Sequence, residues 1–363
     1  MIYNLQCITI TRQYAAGGFI MSITKKPFGT FGGKTVFAWT LTNKSGAYVT
    51  ILNYGGIMQS LVLPDKNGKM ADVVCGFDDL DGYITERKQY FGALIGRCGN
   101  RISNGTFSIG KEKYYVAGNE KPEIGLHLHG GNVGFNRKIW DVRPIEGEGS
   151  DSLVLKLFSP DMEEGYPGNL KVKVTYTFDD DNALTISYYA KSDKKTYVNL
   201  TSHTYYNLNG YDGGSVMDQE LMLNCDCYDE VDADLVPVEK PIPVDGTAFD
   251  FRKPKKIGIG YDHNFHINGE AGTMRLAASV YDPESGRTMD IITDQPAVQL
   301  YTAVGMGNET NFKGNVPERK LHALCLETQN PPDLPNRKSL PQRFTFATKP
   351  YKTTTIMKFG IKK

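Results

Sequence analysis

From Leu170 to Phe178 the chain reads Leu-Lys-Val-Lys-Val-Thr-Tyr-Thr-Phe, apolar and polar residues alternating at every step. Only an extended strand puts side chains two residues apart on one face, so this segment predicts a strand with one buried and one wetted face. Shorter β-rich runs recur every ten or so positions: Ala47 to Asn53, Met58 to Leu63, Asp72 to Cys75, Thr106 to Ile109, Lys113 to Val116, Ser152 to Phe158, Ala183 to Ala190, Thr196 to Asn199, Gln219 to Asn224 and Ala297 to Thr302. That spacing is the signature of a sandwich or barrel. Asp65-Lys66-Asn67-Gly68, Asn104-Gly105 and Gly110-Lys111 supply the residues that reverse a chain between strands. Helical periodicity is confined to weak candidates at Leu80 to Glu86 and after Phe312. The reading is an all-β chain.

Glycine and proline lie between the runs rather than in one block, so no linker divides the chain, and residues 22–363 are expected to form one domain. Residues 1–21 lack the basic start and clean apolar core of an export signal, with Arg12 and Gln13 interrupting. Ser22, Lys25 and Lys26 follow Met21, so the first 21 residues read as a tail or leader outside the fold. The 41 basic and 41 acidic residues cancel, which leaves no global positive field for nucleic acid or an anionic membrane. Apolar runs fall short of the roughly 20 residues that span a bilayer. Six scattered cysteines in a long chain point to free thiols and a reducing, cytoplasmic setting. Cys225 and Cys227 have no second ligand pair at zinc spacing, and no metal is expected.

Four clusters around charged and histidine residues stand out. Gly96-Arg97-Cys98-Gly99-Asn100-Arg101-Ile102 sets two arginines and an asparagine among small residues, as a binding loop or a solvated turn would. In Leu126-His127-Leu128-His129-Gly130-Gly131, two histidines share one side of an extended segment, but Asn132 to Phe135 adds no third ligand, so a single hydrogen-bonding histidine fits better than a metal pair. His203 sits among hydroxyls and aromatics in Val198 to Leu208, either as a satisfied core histidine or as a working one. Glu327 directly follows the apolar run Ala323-Leu324-Cys325-Leu326, either as an edge-strand glutamate facing water or as a carboxylate carried into the core. A carboxylate there is costly unless paired or used, and burial would raise its pKa toward the range of a general base. By themselves, Asp262 reads first as a turn cap and Gln299 as a solvated strand residue, with a site role the lesser reading of each.

Taken in order, Asn53-Tyr54-Gly55-Gly56, Asn100-Arg101-Ile102, His129-Gly130-Gly131, Ser202-His203-Thr204-Tyr205-Tyr206-Asn207-Leu208, Asp262-His263-Asn264 and Leu326-Glu327-Thr328-Gln329 resemble the aldose 1-epimerase (galactose mutarotase) family over most of the chain. The resemblance implies a large antiparallel β-sandwich, the galactose mutarotase-like supersandwich. It also implies interconversion of the α and β anomers of free hexoses such as galactose and glucose, without a cofactor. It assigns His203 as general acid, near neutrality in pKa, and Glu327 as general base. His129, Arg101 and Asp262 would hold the sugar, with Asn100 and Gln299 as further contacts. Trp140, Phe135 and Tyr206 are candidates for an apolar wall, but core packing is the first expectation for each. A monosaccharide is the expected partner, and the chain is expected to be a monomer or homodimer.

Two positions depart from the family pattern: Ser202 stands where asparagine is common, and His127 is an extra histidine. Both bear on fine hydrogen bonding and hence on sugar preference. An epimerase of a phosphorylated hexose would need arginines such as Arg97, Arg101 and Arg137 to converge on a phosphate. A non-catalytic sugar-binding module would have lost the acid or base, and a glycosidase would need a second carboxylate beside Glu327.

Overall fold

A computed structural model describes residues 8–11, 22–86, 88–238, 240–307 and 310–362. Most of the segment read as a leader, 1–7 and 12–21, lies outside the described residues. Between these stretches Ile8–Thr11 is a strand paired antiparallel with Ser22–Phe31.

Three sheets make the body, and every strand pair within them is antiparallel. The first is a meander in chain order: Ile8–Thr11, Ser22–Phe31, Lys34–Thr42, Tyr48–Leu52, Met58–Pro64 and Met70–Asp72. The second, nine strands wide, runs Asp141–Ile145, Ser150–Ser159, Leu170–Asp179, Ala183–Ser192, Tyr351–Ile361, Arg287–Thr293, Arg275–Tyr281, Glu220–Leu223, Lys255–Lys256. The third runs Ile242–Pro243, Cys225–Tyr228, Asp262–Ile267, Ala297–Tyr301, Cys325–Gln329.

The alternating segment behaves as its pattern dictates. Leu170, Val172, Val174, Tyr176 and Phe178 are buried while Lys171 and Lys173 face water. Their apolar face joins one continuous cluster with Leu41, Val49 and Leu61 of the meander and Phe265, Val298, Leu300 and Leu326 of the five-stranded sheet. The nine-stranded sheet therefore packs against the other two, the large antiparallel β-sandwich expected from the resemblance. At the turn Asp65–Gly68, Asp65 Oδ1 accepts from the backbone N–H of Asn67 at 2.8 Å and of Lys69 at 2.9 Å, while Gly68 takes φ +81°.

Two boundaries differ from the sequence reading. The strand expected at Asp72 to Cys75 is Met70–Asp72, because the Asp72 carboxylate takes ladder donors itself, accepting from Leu61 N at 3.0 Å and Val74 N at 3.1 Å. The helix after Phe312 is only the 3-10 turn Lys313–Asn315, broken by Gly314 at φ +63°. The candidate at Leu80 to Glu86 is a helix, Leu80–Thr85, capped by Asp79 accepting from Gly82 N at 2.9 Å.

The five-stranded sheet also carries a buried charge cluster. Arg337 donates to both oxygens of Asp229 at 2.6 and 2.9 Å, Asn264 Nδ2 donates to Asp229 at 2.8 Å, and His266 Nε2 lies 2.9 Å from it. Burial alone pushes the Asp229 carboxyl up, but the hydrogen bonds and charges of His266 and Arg337 outweigh it and hold it below the usual carboxylate range. Asp229→Asn should cost about 3 kcal/mol in urea unfolding at neutral pH, the scale for breaking a buried pair. Because the folded pKa lies below the unfolded one, the gap between wild type and variant should hold down to about pH 4 and close below it. A gap that widens on acidification contradicts this account.

Candidate active site

On the five-stranded sheet, Leu326, Leu300, Val298 and Phe265 turn to the shared core, and the opposite face is polar. Cross-strand register builds that face: Glu327 is opposite Gln299, and Gln299 is opposite Asn264. One step along, Cys325 is opposite Tyr301, and Tyr301 is opposite Asp262. Gln299 Nε2 reaches diagonally to Asp262 Oδ1 at 2.7 Å and holds that carboxylate over the sheet.

Loops from the other side of the chain cover this face. His203 follows the short strand Thr201–Ser202, and its backbone is pinned twice, N donating to Ala93 O and O accepting from Gly92 N, each at 2.9 Å. Its Nε2 stands 3.7 Å from Glu327 Oε1. His129 ends the strand His127–Leu128, which pairs with Arg101–Ile102. Its backbone N donates to Asn100 O, and its ring Nδ1 accepts from Asn100 N, both at 3.1 Å. Gly130 is required next: at φ +89° a Cβ would lie 1.9 Å from Gly96 O. Arg101 is held by Glu120 in a two-pronged bond, Nε to Oε2 at 2.8 Å and Nη2 to Oε1 at 2.6 Å.

Asp262, Gln299 and Glu327 of the five-stranded sheet are thus brought together with His203, His129, Arg101 and Asn100, which lie on or beside the strands of two short sheets. Glu327, at 2% exposure, keeps Oε2 without a protein partner, and Gln299 Oε1 is likewise unpartnered. Burial, then the nearby Asp262 charge, pushes the Glu327 carboxyl well above its ordinary value, against an opposing pull from Arg101. Asp262 is raised by burial too. His203, expected near neutrality, is instead pushed down to about 4 by burial. The cleft therefore stabilises a neutral imidazole beside a protonated carboxyl, which holds the same number of protons as an imidazolium–carboxylate pair.

Tyr90 was not legible from the sequence. At φ +53° its ring lies edge-on to His129 (4.7 Å between centroids) and stacked near His203 (5.9 Å). Tyr205 stacks on His203 at 5.1 Å, and its hydroxyl donates to Gln89. These rings form the aromatic wall. Trp140, Phe135 and Tyr206 belong to the core, with Trp140 Nε1 bonded to Phe135 O and Tyr206 OH to Met357 Sδ. Glu120 was also missed, since nothing in its local sequence separates it from a solvated glutamate.

The two departures fall outside the cleft's polar contacts. Ser202 shares a hydrogen bond with Thr204 at 2.9 Å, and His127 is buried between Ala117 O and the Tyr166 hydroxyl at 2.7 and 2.6 Å. Arg97 spends its guanidinium on Ser159 and on the carbonyls of Pro160, Tyr166 and Pro167. Ligand atoms of His129, His203 and Glu327 lie within 4.8 Å of one another. A neutral His129 that accepts the Asn100 N–H at Nδ1 carries its proton on Nε2, however, and so has no lone pair there for a metal.

The sequence profile of the family described as Aldose 1-epimerase matches residues 38–358. Galactose mutarotase of Mus musculus is 38% identical over 352 residues, covering 94% of this chain and 100% of that protein. Galactose mutarotase of Homo sapiens is 38% identical over 350 residues, covering 94% and 99%. The crystal structure of galactose 1-epimerase from Lactobacillus acidophilus superposes with a TM-score of 0.80 at 28% identity, covering 99% of this chain and 100% of that one.

Burial, with the nearby His203 and Arg101 charges, holds the His129 pKa well below the ordinary histidine value. Nitrogen NMR of the imidazole should therefore find His129 neutral, with the proton on Nε2 alone, from pH 8 down through 6. A titration midpoint near 6.5, or a proton on Nδ1, would remove the tautomer lock.

Proposed function

This chain belongs to the aldose 1-epimerase family, and we propose how its cleft interconverts the α and β anomers of free hexoses, with His203 as general acid and Glu327 as general base. Opening a pyranose requires a proton delivered to the ring oxygen and another taken from the anomeric hydroxyl. Both oxygens are bonded to one carbon, so acid and base have to be neighbours. The observation that carries the assignment is the 3.7 Å approach of His203 Nε2 to Glu327 Oε1 in a buried cleft.

In the reacting tautomer His203 is protonated and Glu327 is not. His203 gives its proton to the ring oxygen while Glu327 removes the anomeric one, and the aldehyde forms. Rotation about C1–C2 presents the other carbonyl face, and the two transfers run backwards to close the ring. The pair ends with the protons it began with, so the cycle calls for no cofactor, redox change or covalent intermediate. His129, as an Nε2–H donor, and Arg101 give hydrogen bonds to hydroxyl or ring oxygens, while Asp262 and Gln299 accept from hydroxyls. Asn100 acts through the backbone that orients His129. Holding the ring in this way makes the proton transfers effectively intramolecular.

The phosphorylated-hexose alternative loses Arg97, whose guanidinium is spent on protein carbonyls. We take residues 22–363 as the working domain. The described cysteines are free thiols, most of them buried, and no helix among the described residues is long and apolar enough to cross a membrane. The thiols support our reading of a reducing, cytoplasmic setting, and we take the chain as a monomer or homodimer.

Polarimetry of freshly dissolved α-D-glucose and α-D-galactose tests the reading. The protein should speed the approach to an unchanged final rotation. Glu327→Gln and His203→Ala should each lower kcat by about a hundredfold or more, and near-normal turnover in either defeats the assignment. Glu120→Gln should act differently, raising KM by about tenfold with a smaller change in kcat, as expected when a binding arginine loses its charge-assisted brace. On the pH axis, kcat/KM should fall on the acid side as His203 takes up an additional proton near 4. An acid limb centred near 6.5 would contradict the burial account.

A further inference from the structure

Away from the cleft, a cavity of about 410 Å³ opens where the segment Pro341–Pro350 folds back over the end of the five-stranded sheet. Its floor is polar and buried: Asn330, Gln295 and Thr353 line it at 1%, 3% and 5% exposure. Gln295 Nε2 is bonded to the Tyr351 hydroxyl at 2.7 Å, but Asn330 Oδ1 has no protein partner. A buried amide oxygen left without a donor costs free energy that a ligand hydroxyl would recover. The walls and rim are cationic. Arg343 is partly buried, and Lys349 is exposed beside it, whereas Lys352 turns to the other face of its strand and lies over the Tyr189 ring. Neither Arg343 nor Lys349 has an ion-pair partner among the described residues, and the lining carboxylate, Asp294, is engaged by Thr353 Oγ1 and Thr354 N.

We infer that this cavity is a second ligand site, for a phosphorylated monosaccharide whose hydroxyls meet the amide and threonine floor and whose phosphate meets Arg343 and Lys349. Guanidinium and ammonium groups without counter-ions are the usual phosphate recognition chemistry, and the hydroxyl-bearing part accounts for a polar rather than apolar floor. Its position ties it to the cleft. Asn330 directly follows the strand that bears Glu327. Its backbone N donates to Asn199 Oδ1 at 2.8 Å, and Asn199 Nδ2 returns a bond to Asn330 O at 3.2 Å. Asn199 in turn leads into Thr201–Ser202 and His203. A ligand seated on Asn330 thus rests on the junction of the two chain segments that carry the proposed acid and base. The site itself does not depend on the roles given to those two residues.

Calorimetric titration with galactose 1-phosphate is the test, because its blocked anomeric oxygen cannot turn over in the cleft. Parallel arms use inorganic phosphate and galactose. Binding of one equivalent should persist in Glu327→Gln and under saturating galactose, and should weaken by about tenfold in Arg343→Ser and again in Lys349→Ser, whose partly or fully exposed side chains carry no structural bonds. Binding that vanishes under saturating galactose belongs to the cleft and overturns the proposal. So does no binding, or binding indifferent to both substitutions. Equal affinity for inorganic phosphate would overturn the monosaccharide half and leave a phosphate site.

Discussion

A sheet that carries apolar side chains on one face and buried polar ones on the other has to be covered on both sides. The core provides one cover for the five-stranded sheet. Over the other face, bare backbone would leave Glu327, Gln299 and Asn264 with unmet polar groups, and most of the remaining architecture answers that need. The short strand pairs Leu94–Ile95 with Thr201–Ser202 and Arg101–Ile102 with His127–Leu128 bring His203, His129 and Arg101 down onto the face. The Asp229–Arg337 cluster fixes Asn264 on the central strand. Among the groups left unsatisfied, Glu327 Oε2 and Gln299 Oε1 are ones that a polyhydroxylated ligand can complete.

Burial also sets the electrostatics. The same desolvation that lowers His203 raises Glu327, so the two groups diverge in the direction that keeps a single proton between them. Neighbouring charges modulate this: Asp262 reinforces the rise at Glu327 and Arg101 opposes it. The Arg101 charge is moderated by Glu120, and a carboxylate at the rim thereby reaches the reacting pair through an intermediary.

Much of this was legible in the chain. Period-two alternation found Leu170–Asp179, β-rich runs between turn residues found others such as Ser150–Ser159, Ala183–Ser192 and Ala297–Tyr301, and the acid placed just after an apolar strand marked Glu327 as a candidate buried carboxyl. The longest strand, Tyr351–Ile361, escaped notice because its inward face begins with Thr353 and Thr355 before Met357 and Phe359, so polar and apolar positions do not separate by type. Its threonines bond inside, Thr355 with Thr293 and Thr328. Tyr90 and Glu120 were opaque for another reason: each lies on a loop, and its role depends on partners remote in sequence. The lowered pKa of His203 could not be foreseen without knowing how completely Tyr90 and Tyr205 enclose it.

The bond from Asn100 N to the His129 ring has an evolutionary corollary. A tautomer fixed by a side chain can be lost through one substitution, but a main-chain N–H is supplied by every residue except proline. Position 100 is constrained instead by its backbone, which sits at φ +61°, where asparagine and glycine are most at ease. The donor state of His129 is thus inherited with the loop's shape rather than with any one side chain, and sequence at this position is free to drift only within the set of residues that tolerate the turn.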